Sequence, residues 1–188
     1  MAKGDVSLTD PRALRALAHP TRLAILDHLH EAGTATATSC GEAAGISASA
    51  ASYHLRSLAK WGLVTDAGGG HGRERPWRAV GTGFSFELTD ASSPAHVAAQ
   101  AALGGQLVAS GERWTADFVR NESGLDPAWQ RASHLANKTL TLTPAEAEEI
   151  VARIEELLEP YGRSTRSDPP ADARVVRMLL RLFPRDVP

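Results

Sequence analysis

The sequence predicts a mainly α fold with a small β component (α+β). Three observations predict it. Between residues 10 and 60 a run of short helical segments appears, each with its own start and stop signal. Two short extended runs then flank a glycine-rich tip near residue 70. The best-marked segments of the second half are again helices.

Asp10-Pro11 starts the first helix: the aspartate accepts an amide bond at the cap, and proline takes the first position, where no amide is needed. Leu14, Leu17 and Ala18 recur at helical spacing until His19-Pro20, because the residue before a proline is pushed out of the helical region. Pro20 opens a second helix with an apolar stripe of Leu23, Ile25, Leu26 and Leu29, running to Gly33. Residues 36–44 read as a short helix of small residues ended by Gly45. Ser47 caps a helix over 48–60 that buries Leu55 and Leu58, and Gly62 closes it. The runs 63–65 and 73–80, around Gly68-Gly69-Gly70-His71-Gly72, predict a hairpin; Pro76 predicts that the second run is an edge strand. Helix, helix, short helix, turn, helix, hairpin is the order of a winged helix-turn-helix. It is assigned to residues 10–83.

Residues 84–188 are expected to form a helical C-terminal dimerisation region with room for an effector. There, 94–110 predicts a helix whose alanines and glycines permit close approach of another helix, with shorter helices over 112–120 and 127–134. The Thr/Leu alternation of 138–142 predicts a half-buried strand. Thr143-Pro144-Ala145-Glu146 is a capping-box pattern that starts a helix to about residue 161. Residues 162–171 read as a polar loop, and 173–183 fit a strand and a helix alike.

Composition narrows the function classes. The chain has 188 residues, 43% hydrophobic and 22% charged, ordinary for a soluble protein. The longest apolar stretch, 95–109, is interrupted by His96, Gln100, Gly104, Gly105 and Gln106, and is shorter than the roughly 20 residues a membrane span needs. No export signal is visible at the start, and a single cysteine fits a reducing compartment, so the expectation is a cytoplasmic protein without membrane contact. The net charge of −2 divides unevenly: residues 1–80 carry nine Lys/Arg against seven Asp/Glu, and residues 81–188 eleven against fifteen. Arg56, Lys60, Arg73, Arg75 and Arg78 concentrate positive charge where the turn, helix and hairpin fall, and a local positive surface is what nucleic-acid binding requires. Motifs for nucleophilic, metal-hydrolytic or nucleotide chemistry are absent, so no enzyme and no cofactor are expected.

The segment from Gly45 to Val64 carries the function. A recognition helix buries one face and presents small, hydrogen-bonding side chains on the other, so that its backbone sinks into the major groove. Ser47, Ser49, Ser52, Tyr53 and Arg56 make such a face. An amphipathic helix with a merely solvated polar face would read alike in isolation; the preceding short helix and following hairpin favour recognition.

At this point the sequence resembles a family. Leu14-Arg15-Ala16-Leu17-Ala18-His19-Pro20-Thr21-Arg22-Leu23-Ala24-Ile25-Leu26 is similar to the opening of the ArsR-type winged helix-turn-helix transcriptional regulators. Ser52-Tyr53-His54-Leu55-Arg56 with Gly62-Leu63-Val64 resembles their recognition helix and its exit. Gly72-Arg73-Glu74-Arg75-Pro76-Trp77-Arg78 resembles the wing of a subgroup with longer C-terminal regions. The resemblance covers about residues 10–80 and implies a homodimer on double-stranded DNA. It implies base-edge candidates at Ser47, Ala48, Ser49, Ser52, Tyr53 and Arg56, and wing contacts from His71, Arg73 and Arg75. His54 is similar to a family histidine near the DNA backbone, and reads equally as a core-edge histidine satisfied by a carbonyl. Trp77 reads as packing at the wing root.

The departures bear on sensing. Many ArsR-type proteins hold metal through a Cys-x-Cys pair before the turn; Thr36 and Thr38 stand there, and neither is a soft-metal ligand. Cys40 falls at a core position, and His96 and His134 lack companions at ligand spacing, so no metal site is expected. The expected function is a dimeric DNA-binding transcriptional regulator, a repressor on a two-fold symmetric operator, using the helix at 48–60 and the wing at 66–78. A small-molecule effector would act by preferring the DNA-incompetent form. The alternatives are a winged-helix protein-interaction module and a metal- or redox-responsive sensor through Cys40.

Overall fold

Caps decide where the first four helices begin. In the computed structural model, which describes residues 6–69, 75–86, 93–162, 166 and 168–185, the Asp10 carboxylate accepts the Arg12 backbone N–H at 2.7 Å and opens α1, Pro11–Leu17. His19 Nδ1 accepts the Thr21 N–H at 3.2 Å at the start of α2, Pro20–Ala32, so the neutral ring carries its proton on Nε2. Thr36 Oγ1 caps α3, Ala37–Ala44, and Ser47 Oγ caps α4, Ala48–Lys60, each accepting an N–H at 3.2 Å. Between α3 and α4 the chain turns through Gly45 at φ +66°, the left-handed conformation that glycine adopts without a Cβ penalty.

These helices close on one core. Leu14 and Leu17 of α1, Ile25 and Leu29 of α2, Cys40 of α3, and Leu55 and Leu58 of α4 are fully buried together with Leu63. The wing is a hairpin of β2, Val64–Asp66, and β3, Trp77–Ala79, paired antiparallel with Thr65 opposite Arg78. Trp77 also exchanges backbone hydrogen bonds of 3.0 and 2.8 Å with Ala35. That bridge corrects the edge-strand expectation: β3 lies between β2 and Ala35, and Pro76 is tolerated because it precedes the strand. Val6–Ser7 (β1) pairs in parallel with Phe84–Ser85 (β4), and Leu8 behind it enters the core.

The C-terminal half differs more from expectation. One helix, α5, runs from Pro94 to Asn121, absorbing the separate segment expected over 112–120. At 28 residues it is about 42 Å long. Its first turns lie against α1, and Ala99 and Leu103 join the core that the first four helices form. A Cβ on Gly104 or Gly105 would meet nothing within 4 Å, so among the described residues no other helix uses the close approach they permit. After a 3-10 turn at Glu122–Gly124 come α6, Pro127–Ala132, and α7, Pro144–Leu158, which the Thr143–Glu146 capping box starts as expected. The strand expected over 138–142 is absent: those residues have no ladder partner and all are exposed.

Residues 173–185 form neither a helix nor a paired strand. They lie along α5 in the opposite direction, held by arginines. Arg174 reaches Asp126 at 3.0 Å, Arg177 reaches Asp27 at 3.0 Å and Glu31 at 2.9 Å, and Arg181 approaches the Val108 carbonyl. The Arg177 guanidinium also lies 3.6 Å from the centre of the Trp114 ring. Burial pushes the Asp27 carboxyl above its ordinary value, against the opposing pull of Arg177.

Candidate nucleic-acid interface

The division of α4 into two faces builds the site. Ala51, Leu55 and Leu58 face inward and are buried; at complementary positions of the 3.6-residue turn, Ser49, Tyr53, Arg56 and Lys60 are exposed. Tyr53, with 60% of its surface exposed, is the most prominent of them. The helix carries no acidic residue, so nothing on it repels phosphate. Its 13 residues span about 20 Å, a length that fits along a major groove roughly 12 Å wide.

The sequence-predicted residues fall into place unevenly. Ala48, Ser49, Tyr53 and Arg56 are exposed and Ser52 is half-buried. Ser47 is exposed, but its oxygen already accepts the Ala50 N–H, leaving only the hydroxyl proton to offer outward. His54 is half-buried, its ring 5.0 Å from that of His19 and 5.5 Å from that of Tyr53, and its Nδ1 has no hydrogen-bond partner among the described residues. Of the two readings the sequence leaves open for His54, a carbonyl partner at Nδ1 is not found among the described residues. Desolvation first, then the neighbouring His19 and Arg22, holds the ring below the usual imidazole range. His54 is neutral at pH 7 and offers no charge to a phosphate. The stability this neutral ring supports is full above the ordinary imidazole value and is lost as pH falls below it.

On the wing, Arg75 is exposed just before β3. His71 and Arg73 lie outside the described residues. Trp77 is half-buried against the core, as expected of a residue at the wing root. Two cations join the site that the sequence does not single out as DNA contacts. Lys60, one turn beyond Arg56, is exposed on the same face with its ammonium over the Trp61 ring; Arg78 is exposed within β3. Their signal is their membership of the basic cluster at 56–78.

Cys40 is fully buried, and burial pushes its thiol up to about 11. Among the described residues no group of three or more His, Cys, Asp or Glu side chains comes together as a metal site would require. The thiol should accordingly react about a hundredfold more slowly with a thiolate-specific reagent in the native protein than after unfolding, because about a hundredfold less of it is ionised. Rates within a few-fold of each other would contradict this placement.

Residues 17–67 match a family model described as a helix-turn-helix domain. The match takes in α2, α3, α4 and β2, and leaves out the rest of the wing and all of the C-terminal half. No curated protein matches the chain. No helix among the described residues is long and apolar enough to cross a membrane. The match and the geometry of α4 together support a DNA-binding regulator built on a helix-turn-helix domain.

Proposed function

We propose that this protein is a dimeric transcriptional repressor of the ArsR type, binding a two-fold symmetric operator through α4 and the wing. The observation that carries the reading is the outer stripe of α4, Ser49, Tyr53 and Arg56, free of acidic residues and fixed from behind by Leu55 and Leu58. Residues 10–83 read DNA; residues 84–188 dimerise and offer a place for a small organic effector. One recognition helix reads too few base pairs to be selective alone, so two copies would meet half-sites one helical turn apart. The cytoplasm is the compartment that goes with this reading.

Tyr53 and Arg56 should govern which sequence is chosen. Replacing either by alanine is expected to reduce discrimination at its own base pair by about 1–3 kcal/mol, measured by competition among operator variants. Unchanged discrimination in both variants would refute the register assigned to α4. Arg75→Ala and Arg78→Ala should instead weaken binding to all sequences alike. Each should flatten the log–log salt slope by about 0.9, the share of the one phosphate that the arginine no longer neutralises. A change in sequence preference at constant slope would place those side chains on bases.

A further inference from the structure

Arg177 occupies a seat built from two other parts of the chain. Asp27 and Glu31 stand one turn apart on α2, and the Trp114 ring comes from α5. Nη1 of Arg177 donates to Asp27 at 3.0 Å and Nη2 donates to Glu31 at 2.9 Å. The central carbon of the guanidinium lies 3.6 Å from the centre of the Trp114 ring, the separation of a stacked contact. Two carboxylates at the edge and an aromatic face beneath are the chemistry that recognises a flat organic cation. Arg113, the other cation whose field reaches Asp27, donates instead to the Ser110 hydroxyl at 2.9 Å.

The seat is fixed by the core, whereas its occupant is not. Buried Leu26 and Leu29 hold α2 beside Asp27, and Leu103 anchors α5 three turns before Trp114. The tail that brings Arg177 is neither helical nor paired, and residues 173–185 are all exposed. Among the described residues the backbone of 174–185 makes no hydrogen bond to other backbone, so side chains hold it. Segments held in this way open at low free-energy cost. The seat also faces water, since the Arg177 and Glu31 side chains are 29% and 59% exposed. A looser version recurs nearby: Arg174 bonds Asp126 at 3.0 Å, with its guanidinium 5.6 Å from the centre of the Trp129 ring.

We propose that Asp27, Glu31 and Trp114 form a binding site for a small molecule bearing a guanidinium group, which displaces Arg177 and frees the tail from α2. The head group repeats the two hydrogen bonds and the stack; an ammonium is a compact point charge without the flat face or the spread donors. Helix α2 carries the change toward the reading face, because His19 at its start lies against His54 of α4. The inference gives a ligand class to the effector reading above and rests on that reading only for the effect on DNA.

The test uses the full chain carrying Arg177→Ala and, in parallel, Arg177→Gln. Ethylguanidinium chloride is the probe, and sodium chloride at equal ionic strength is the reference. Tryptophan fluorescence should change saturably, with a midpoint about tenfold or more below that of the unsubstituted protein, where the tethered arginine competes at an effective concentration on the order of millimolar. Asp27→Asn or Glu31→Gln, added to either variant, should raise the midpoint about tenfold, and ethylammonium should bind about tenfold more weakly than ethylguanidinium. With the probe at saturation, the unsubstituted protein should bind duplex DNA about fivefold more weakly. Equal midpoints with and without Arg177, or no saturable response in either Arg177 variant, would overturn the site. So would a response that Asp27→Asn and Glu31→Gln both leave unchanged, because the probe would then sit elsewhere. Binding as expected with unchanged affinity for DNA would overturn the effector reading and leave the site standing.

Discussion

Leu55→Ala should cost about 2–5 kcal/mol of folding stability and remove DNA binding at temperatures where the unsubstituted protein is folded. Leu55 is fully buried at the middle of α4 among the side chains of α1, α2 and α3. Cutting it back removes the apolar packing that fixes the outer stripe, one residue away from His54 and Arg56. With stabilities of about 5–15 kcal/mol typical of a domain, the loss is a large fraction of the whole. Chemical denaturation monitored by circular dichroism measures it, alongside a duplex-binding titration. A loss below about 1 kcal/mol would mean that α4 is not held as described.

Gly41→Ala sets two effects of opposite sign against each other. Alanine in a helix interior ordinarily stabilises by about 1 kcal/mol relative to glycine. At this position in α3, however, a Cβ would stand 2.8 Å from the Ile46 carbonyl oxygen and 3.2 Å from the Ala48 nitrogen. Both are backbone atoms of the turn and of the start of α4, so neither can rotate aside. Overpacking of this kind costs about 1–3 kcal/mol, and the close approach decides the sign. The expected result is a lower denaturation midpoint and weaker operator binding, because α4 must shift away from α3. An increase in stability would show that the two helices cross less closely than these distances imply.

What is legible in the sequence follows from how local its causes are. Asp10, Thr36, Ser47 and Thr143 act on amides two or three residues away, and each starts its helix where the sequence places it. Gly45 marks a turn through its own φ angle. The stripe of α4 needs only helical periodicity. Long-range causes are not legible. The pairing of Val6–Ser7 with Phe84–Ser85 joins two strands of two residues, too short for alternation to signal either. The sequence reads separate helices over 94–110 and 112–120, whereas α5 runs unbroken to Asn121. The tail is ambiguous in sequence because apolar residues occur on both of its sides. Which side turns inward is set by Trp114, Asp27 and Glu31, far away in sequence. In the site, Lys60 and Arg78 escape a reading based on family-like positions; the sequence shows them only as members of the basic cluster, and their exposure places them beside Arg56 and Arg75. His54 stays open in the sequence because its environment comes from α2 as much as from α4.

The central claim is that α4 and the wing read double-stranded DNA, and selection of bound duplexes from a random-sequence pool by the full chain tests it most directly. The expected outcome is an enriched, two-fold symmetric sequence with half-sites about one helical turn apart, whose affinity falls steeply as salt rises. Arg56→Ala should relax the preference within each half-site without changing their spacing. A pool that emerges without any shared sequence, together with binding that does not respond to salt, would contradict the claim.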